Sequence, residues 1–394
     1  MGWIDNLLSE RALHRDVYKI RALGSKDVGK RQIFELLSDF DPLFAVMVSE
    51  LTSDDVQASL CLLFLFFKML RDIHVKCESE PDLGAAILQK IAEIVTTNIL
   101  EDSDLQVNIL TLDLFLQELD TLPFGLQKIL RSGIAASALG MADFLGRNVT
   151  SEQEYTLLCH HLLGNFYLTM IRIFCSAHEE NPMVANAEHL ASSIGVFIAK
   201  SHFLNQMAQK GSSISNSSIW PEEILRVYTS EHGVSSVLFL HHMIFDALRH
   251  LPEICQFMIR LENAQLFRLL CPDLIEALHI LVHLSSGQSG KTCLTPGAKY
   301  AIYNYTLGLS DLQDLISAKL ASISFLLKSD DPTSGQMHLL LKRLRMLCSR
   351  KRNRSLTSTK TSKGHSLSIG TIIELLIYVT FGLMIALILI KTFA

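Results

Sequence analysis

Apolar residues recur every three or four positions through most of the first 350 residues, and strict alternation is rare. That period marks helices with one buried face, whereas alternation would mark strands. It predicts short helices at 2–13, 27–38 and 41–51, then a long one at 53–76 opened by the capping run Ser53-Asp54-Asp55. The centre of that helix, Leu60 to Phe67, is apolar all round and should be buried on every side. Helices follow at 81–100 and 103–119, the first opened by Pro81. In the second, Leu105, Ile109, Leu112 and Leu116 share a face that Leu110, Leu114 and Phe115 widen.

Further helices are expected at 123–131, 133–146, 152–178, 186–210 and 231–250. After them come 251–270 and 272–285, separated at Pro272, then 296–328, broken near Gly308, and 335–350. The run Gly211-Ser-Ser-Ile-Ser-Asn-Ser-Ser218 reads as a loop and a possible subdivision, and Ser285–Thr295 as a second loop. No Asn-Gly hairpin turn occurs and strand signals are poor. The class is all-α: an irregular α-solenoid or a multi-helix bundle, followed by one transmembrane helix.

At the level of helix lengths and spacings, 53–76, 81–100 and 103–119, the body resembles armadillo- or HEAT-like proteins. No repeated consensus accompanies the pattern, so the resemblance carries over no functional residue. It implies an extended protein-binding surface.

The pattern changes near the C-terminus. From Ile369 to Ile390 only Glu374 interrupts an apolar stretch of 22 residues. As a helix it would reach roughly 33 Å, against a hydrocarbon core about 30 Å thick. The anchor residues are Ile369, Ile372, Ile373, Leu375, Leu376, Ile377, Phe381, Leu383, Ile385, Leu387 and Ile390, with a short lumenal or intermembrane-space tail at 391–394. Nine basic residues lie between Lys342 and Lys363, whereas Lys391 alone follows the span. This excess places the upstream side in the cytosol. The expectation is a tail-anchored protein with a cytosolic body at 1–348 and a basic, Ser/Thr-rich linker at 349–368. The endoplasmic reticulum or nuclear envelope is favoured over the mitochondrial outer membrane.

The formal net charge of −5 hides a division: up to Asp331 the chain has 25 basic residues against 39 acidic ones. An acidic body argues against nucleic-acid binding. The cluster Arg350, Lys351, Arg352, Arg354, Lys360 and Lys363 suits anionic lipid headgroups, and Ser355 is a possible phosphorylation site within it. Met337–Cys348 forms a basic amphipathic pattern that also reads as a last core helix. The eight cysteines form no CxxC pair and read as reduced core residues.

Catalytic chemistry has no clear signature. Gly287-Gln-Ser-Gly290-Lys291-Thr292 resembles the end of a phosphate loop, but Ser285 stands where its first glycine belongs. The pairs His160-His161 and His241-His242 are adjacent, so their side chains diverge by about 100° on a helix. Ala138 stands where an apoptosis-regulator motif around Ala142-Asp143 would need leucine, and a fusion-protein coiled coil is absent beside the span. With no catalytic, cofactor or metal site, the expectation is a non-enzymatic scaffold or adaptor that presents a helical surface to a protein partner. The alternative is a membrane-tethered enzyme or lipid-handling protein with a pocket in its helical body.

Overall fold

The computed structural model describes residues 9–18, 28–99, 109–210, 219–230, 233–234, 236–286, 293–306 and scattered positions to 342. The chain divides into two units, Met1–Cys348 and Ser349–Ala394, and the described residues lie in the first. The span 369–390, the basic cluster 350–363 and Ser355 fall outside the described residues. Among those described, no helix is long and apolar enough to cross a membrane.

After a first helix at 9–18 (α1), the chain forms α2 (Val28–Phe40), α3 (Pro42–Ser49), α4 (Asp54–Lys76), α5 (Pro81–Thr97), α6 (Ile109–Thr121) and α7 (Phe124–Phe144). Next come α8 (Glu152–Cys159), a π-helical turn (His160–Gly164), α9 (Asn165–Ser176) and the short α10 (Pro182–Ala185). The series closes with α11 (Glu188–Lys210), α12 (Glu222–Tyr228), α13 (Ser236–Leu248), α14 (Leu251–Met258), α15 (Ala264–Ser285) and α16 (Pro296–Tyr305). A two-residue antiparallel ladder, Thr229–Ser230 with Gly233–Val234, joins α12 to α13.

Local chemistry explains most boundaries. Ser53 accepts from the Val56 amide at 3.3 Å and starts α4, with Asp54 and Asp55 favourable in its first turn. Leu60–Leu63 and Leu65–Phe67 are buried as their all-round apolarity requires, while Phe64 is only partly covered. The expected break at Ser132 does not occur: α7 runs through Gly133, where a Cβ would lie 2.1 Å from Thr169 Oγ1. Glycine there serves close packing on α9, not a turn.

Pro272 also fails to separate two helices and lies inside α15. It withholds one backbone donor, but the break comes earlier, at 259–263. There Asn263 accepts from the Leu266 amide at 2.8 Å. The Glu180 carboxylate accepts from the amides of Glu262 and Asn263 at 3.1 and 3.0 Å. The turn's own hydrogen bonds therefore outweigh the proline signal.

The solenoid expectation, and with it the armadillo/HEAT resemblance, is corrected by the packing. In a solenoid each unit touches only its neighbours in sequence. Here α11 is central, packed against α8, the π turn, α9, α13, α14 and α15. The chain also closes on itself. The Tyr300 hydroxyl donates to Asp16 at 2.6 Å, the Tyr303 hydroxyl to Glu50 at 2.8 Å, and Gln265 Nε2 to the Glu50 carbonyl at 2.9 Å. The fold is a multi-helix bundle around a buried central helix.

Candidate functional site

One stripe of α4 changes character along its length. Phe64, Phe67, Arg71 and His74 follow spacings of three, four and three residues and so share a face. At the aromatic end, Phe64 stacks on Phe44 with centroids 5.0 Å apart, and Phe67 meets Phe166 edge-on at 5.3 Å. Phe166 lies 6.4 Å from Phe44 and 5.1 Å from the Tyr167 ring, so α3, α4 and α9 build one aromatic wall.

Beyond the wall the lining becomes polar. The Tyr167 hydroxyl donates to Asp273 Oδ2 at 2.7 Å. Lys299 Nζ reaches Asp273 Oδ1 at 3.1 Å and Glu276 Oε2 at 2.5 Å. His202 Nε2 is 3.9 Å from Glu276, too far for a hydrogen bond. Five helices thus converge: α4, α9, α11, α15 and α16. The side chains of Glu276, Lys299, His202 and Asp273 are 4, 21, 35 and 36% exposed, so the group grades from covered to open.

The protonation preferences follow from partial desolvation. Burial pushes Asp273 up, but the Lys299 cation and the hydrogen bonds from Tyr167 and Lys299 outweigh it and hold the carboxyl low. Glu276 is raised, because burial there exceeds the help from Lys299. Lys299 is also raised, the two carboxylates overcoming the cost of its own burial. Burial, assisted by the Lys299 cation, lowers His202 to about 4 and keeps its imidazole neutral near pH 7. Desolvation likewise lowers Arg71, opposed by Asp72 and Tyr167, although the side chain remains solvent-accessible.

Three groups at this place lack partners among the described residues. Arg71 has no hydrogen bond or ion pair there; its neighbour Asp72 is bound by Lys68 at 2.5 Å. The Nε2 atoms of His202 and His74 are buried without a hydrogen-bond partner. Buried polar atoms normally find partners, and exceptions invite a functional explanation.

The site is held by close packing along α11. A Cβ on Gly195 would lie 2.2 Å from the Leu163 carbonyl oxygen and 2.6 Å from the Gly164 nitrogen, both backbone atoms of the π turn. His160 Nδ1 and Ser192 Oγ are 2.6 Å apart across the same contact. One turn on, Lys200 Nζ reaches Asp246 Oδ2 at 2.6 Å and Thr156 Oγ1 at 2.9 Å, with side-chain exposures of 1 and 7% for the ion pair. The ammonium also lies 5.4 Å from the Tyr155 ring centroid. These contacts fix the segment of α11 that carries His202.

The residues expected to matter from sequence, the anchor, the basic cluster and Ser355, lie outside the described residues. The near-phosphate loop at 287–292 also lies outside them. His160 and His161 take different surroundings: the first faces Ser192 and the second packs against Phe144 and Gly140. His242 bonds Glu152 at 2.6 Å, and among the described residues no group of three or more His, Cys, Asp or Glu could hold a metal ion. Sequence reasoning missed Arg71, Tyr167, His202, Asp273, Glu276 and Lys299. The α4 stripe, from Phe64 to His74, was the available signal.

No family model matches the chain. Squalene synthase of Homo sapiens is 23% identical over 218 residues, 52% of this chain and 52% of that protein. Presqualene diphosphate synthase of Botryococcus braunii is 22% identical over 245 residues, 59% of this chain and 60% of that protein. The chain thus spans about half the length of curated relatives it matches. A solved structure described as a complex of TcSQS with the ligand BPH1237 superposes with a TM-score of 0.72 at 20% identity, covering 82% of this chain and 99% of that one. The body has the squalene synthase-like helical fold. Similarity to synthases over this much of the chain overturns the expected non-enzymatic scaffold with a protein partner.

Proposed function

We propose that the chain is an enzyme acting on an isoprenoid diphosphate, in the manner of a squalene or presqualene diphosphate synthase. The observation that carries this reading is the continuity of the aromatic wall with the polar group around Arg71. A long hydrocarbon needs an apolar wall, and its anionic end needs convergent donors. Both occur along one stripe of α4, in a fold shared with a synthase. Here the hydrocarbon lies along Phe64, Phe67 and Phe166, and the anionic end meets Arg71. Tyr167 and Lys299 hold Asp273 in place. Incubating the full chain with an isoprenoid diphosphate tests the reading. Consumption of the substrate supports it, and an unchanged substrate pool contradicts it.

The sequence supports a second, separable proposal: the enzyme works at a membrane, with 1–348 cytosolic, 349–368 as linker and 369–390 as its anchor. An enzyme with a water-insoluble hydrocarbon substrate or product is well placed there. Arg350, Lys351, Arg352, Arg354, Lys360 and Lys363 would lie near anionic headgroups, and phosphate on Ser355 would weaken that attraction. We place it in the endoplasmic reticulum membrane. A fluorescent reporter fused to 349–394 should label that membrane, and a diffuse signal would remove the anchor.

A further inference from the structure

The proposed diphosphate substrate raises the question of what holds its charge. Phosphates are commonly bound either through Mg²⁺ on one or two carboxylates or directly by arginine forks. The described carboxylates around this site are poorly disposed for the first. Asp72 is bound by Lys68 at 2.5 Å, and Lys299 engages both Asp273 and Glu276. Asp41, the remaining carboxyl near the group, accepts from the Phe44 amide at 2.9 Å as the cap of α3. The last turns of α11, from His202 to Lys210, contain no carboxylate at all. No group suited to a metal ion occurs among the described residues, so the residues present do not fit a carboxylate-held cation.

The second route has its parts in place. Lys299 engages both Asp273 and Glu276 and Lys68 engages Asp72, and Arg71 has no ion pair among the described residues. Its guanidinium is accessible at the end of the aromatic wall. His202 and His74 each have an unpartnered Nε2, and the neutral imidazole can offer N–H there. His74 is one turn from Arg71 on the same stripe, and His202, on α11 beside Glu276, lies within the electrostatic influence of Arg71.

We infer that Arg71, with His202 and His74 as neighbouring donors, binds the substrate's diphosphate directly and without a bridging divalent cation. The inference rests on the proposed isoprenoid diphosphate substrate and specifies how this chain recognises its charged end. It makes Arg71 a binding residue whose planar fork matters, since lysine keeps the charge but not the bidentate geometry.

Isothermal titration of the full chain with inorganic pyrophosphate tests it, in EDTA and in Mg²⁺. Squalene binding, followed in parallel on the same protein, reports the hydrocarbon wall alone. The expected result is pyrophosphate binding that persists in EDTA and weakens about 10- to 100-fold in Arg71→Gln, as loss of charge-assisted hydrogen bonds requires. Arg71→Lys should fall between the two, and squalene binding should be the same in all three proteins. Arg71 has no partner among the described residues to leave stranded, and an unchanged thermal melt will show that the variant is folded. Pyrophosphate binding that needs Mg²⁺, or that Arg71→Gln leaves intact, overturns the direct-binding inference while squalene binding stands. Absence of squalene binding by the unaltered chain overturns the hydrocarbon reading instead.

Discussion

Replacing Lys200 with methionine is expected to destabilise the helical body by about 3–5 kcal/mol, the usual consequence of stranding one member of a buried ion pair. Methionine fills the channel left by the lysine stem but supplies no cation. Asp246, with a side chain only 7% exposed, then loses the ammonium that sits 2.6 Å from its carboxylate. Thr156 also loses its partner at 2.9 Å, and the Tyr155 ring its cation. Urea titration followed by helical circular dichroism reads the change. Adding Asp246→Leu should recover most of the loss, because an apolar pair of similar size needs no charge compensation. A single variant as stable as the parent would show that water reaches Asp246 and that the pair is not dry.

Gly195→Ala carries the second large effect. Overfilled cores typically lose 1–3 kcal/mol, and more where nothing can move aside. Here the added carbon would meet the Leu163 carbonyl oxygen at 2.2 Å, its carbon at 2.4 Å and the Gly164 nitrogen at 2.6 Å. No rotamer relieves a clash with backbone, so α11 and the π turn must separate. A loss of about 3 kcal/mol or more is expected. Gly140→Ala is the informative control. Its Cβ would meet the His161 ring at 2.0 Å, and a side chain can swing away. The Gly140 variant should therefore lose less than the Gly195 variant in the same titration. The Gly195 change should also reach the site, since His202 lies two turns along the displaced helix.

Helices were legible in the sequence because each carries its own cause. Ser53 caps α4, Pro81 opens α5, and the all-apolar run Leu60–Phe67 required burial on every side. Boundaries failed where a residue had a packing role that resembles a turn signal. Gly133 accommodates Thr169, and Pro272 rides inside α15 while the Glu180 carboxylate caps the real break at 259–263. The choice between solenoid and bundle was not legible, because it depends on contacts such as Tyr300 with Asp16 and Tyr303 with Glu50, which join the two ends of the body.

The site was hidden for a related reason. Its residues are spread over five helices, and no short motif unites Arg71, Tyr167, His202, Asp273, Glu276 and Lys299. Two local cues existed. Lys200 directly follows the apolar run Gly195-Val-Phe-Ile-Ala199, where a charge must be paired to be buried. The α4 stripe passes from Phe64 and Phe67 to Arg71 and His74, a change from hydrocarbon-like to anion-seeking character within three turns. The apolar stretch 369–390 and the basic residues before it carry a signal for location and none for the chemistry of the body.

We propose above that this bundle turns over an isoprenoid diphosphate. The most direct test is product analysis after incubating the purified full chain with such a substrate, following inorganic diphosphate release and the organic extract together. The expected result is diphosphate release matched by a new isoprenoid product, with both slowed in Arg71→Gln. Intact substrate in the presence of well-folded protein would contradict it.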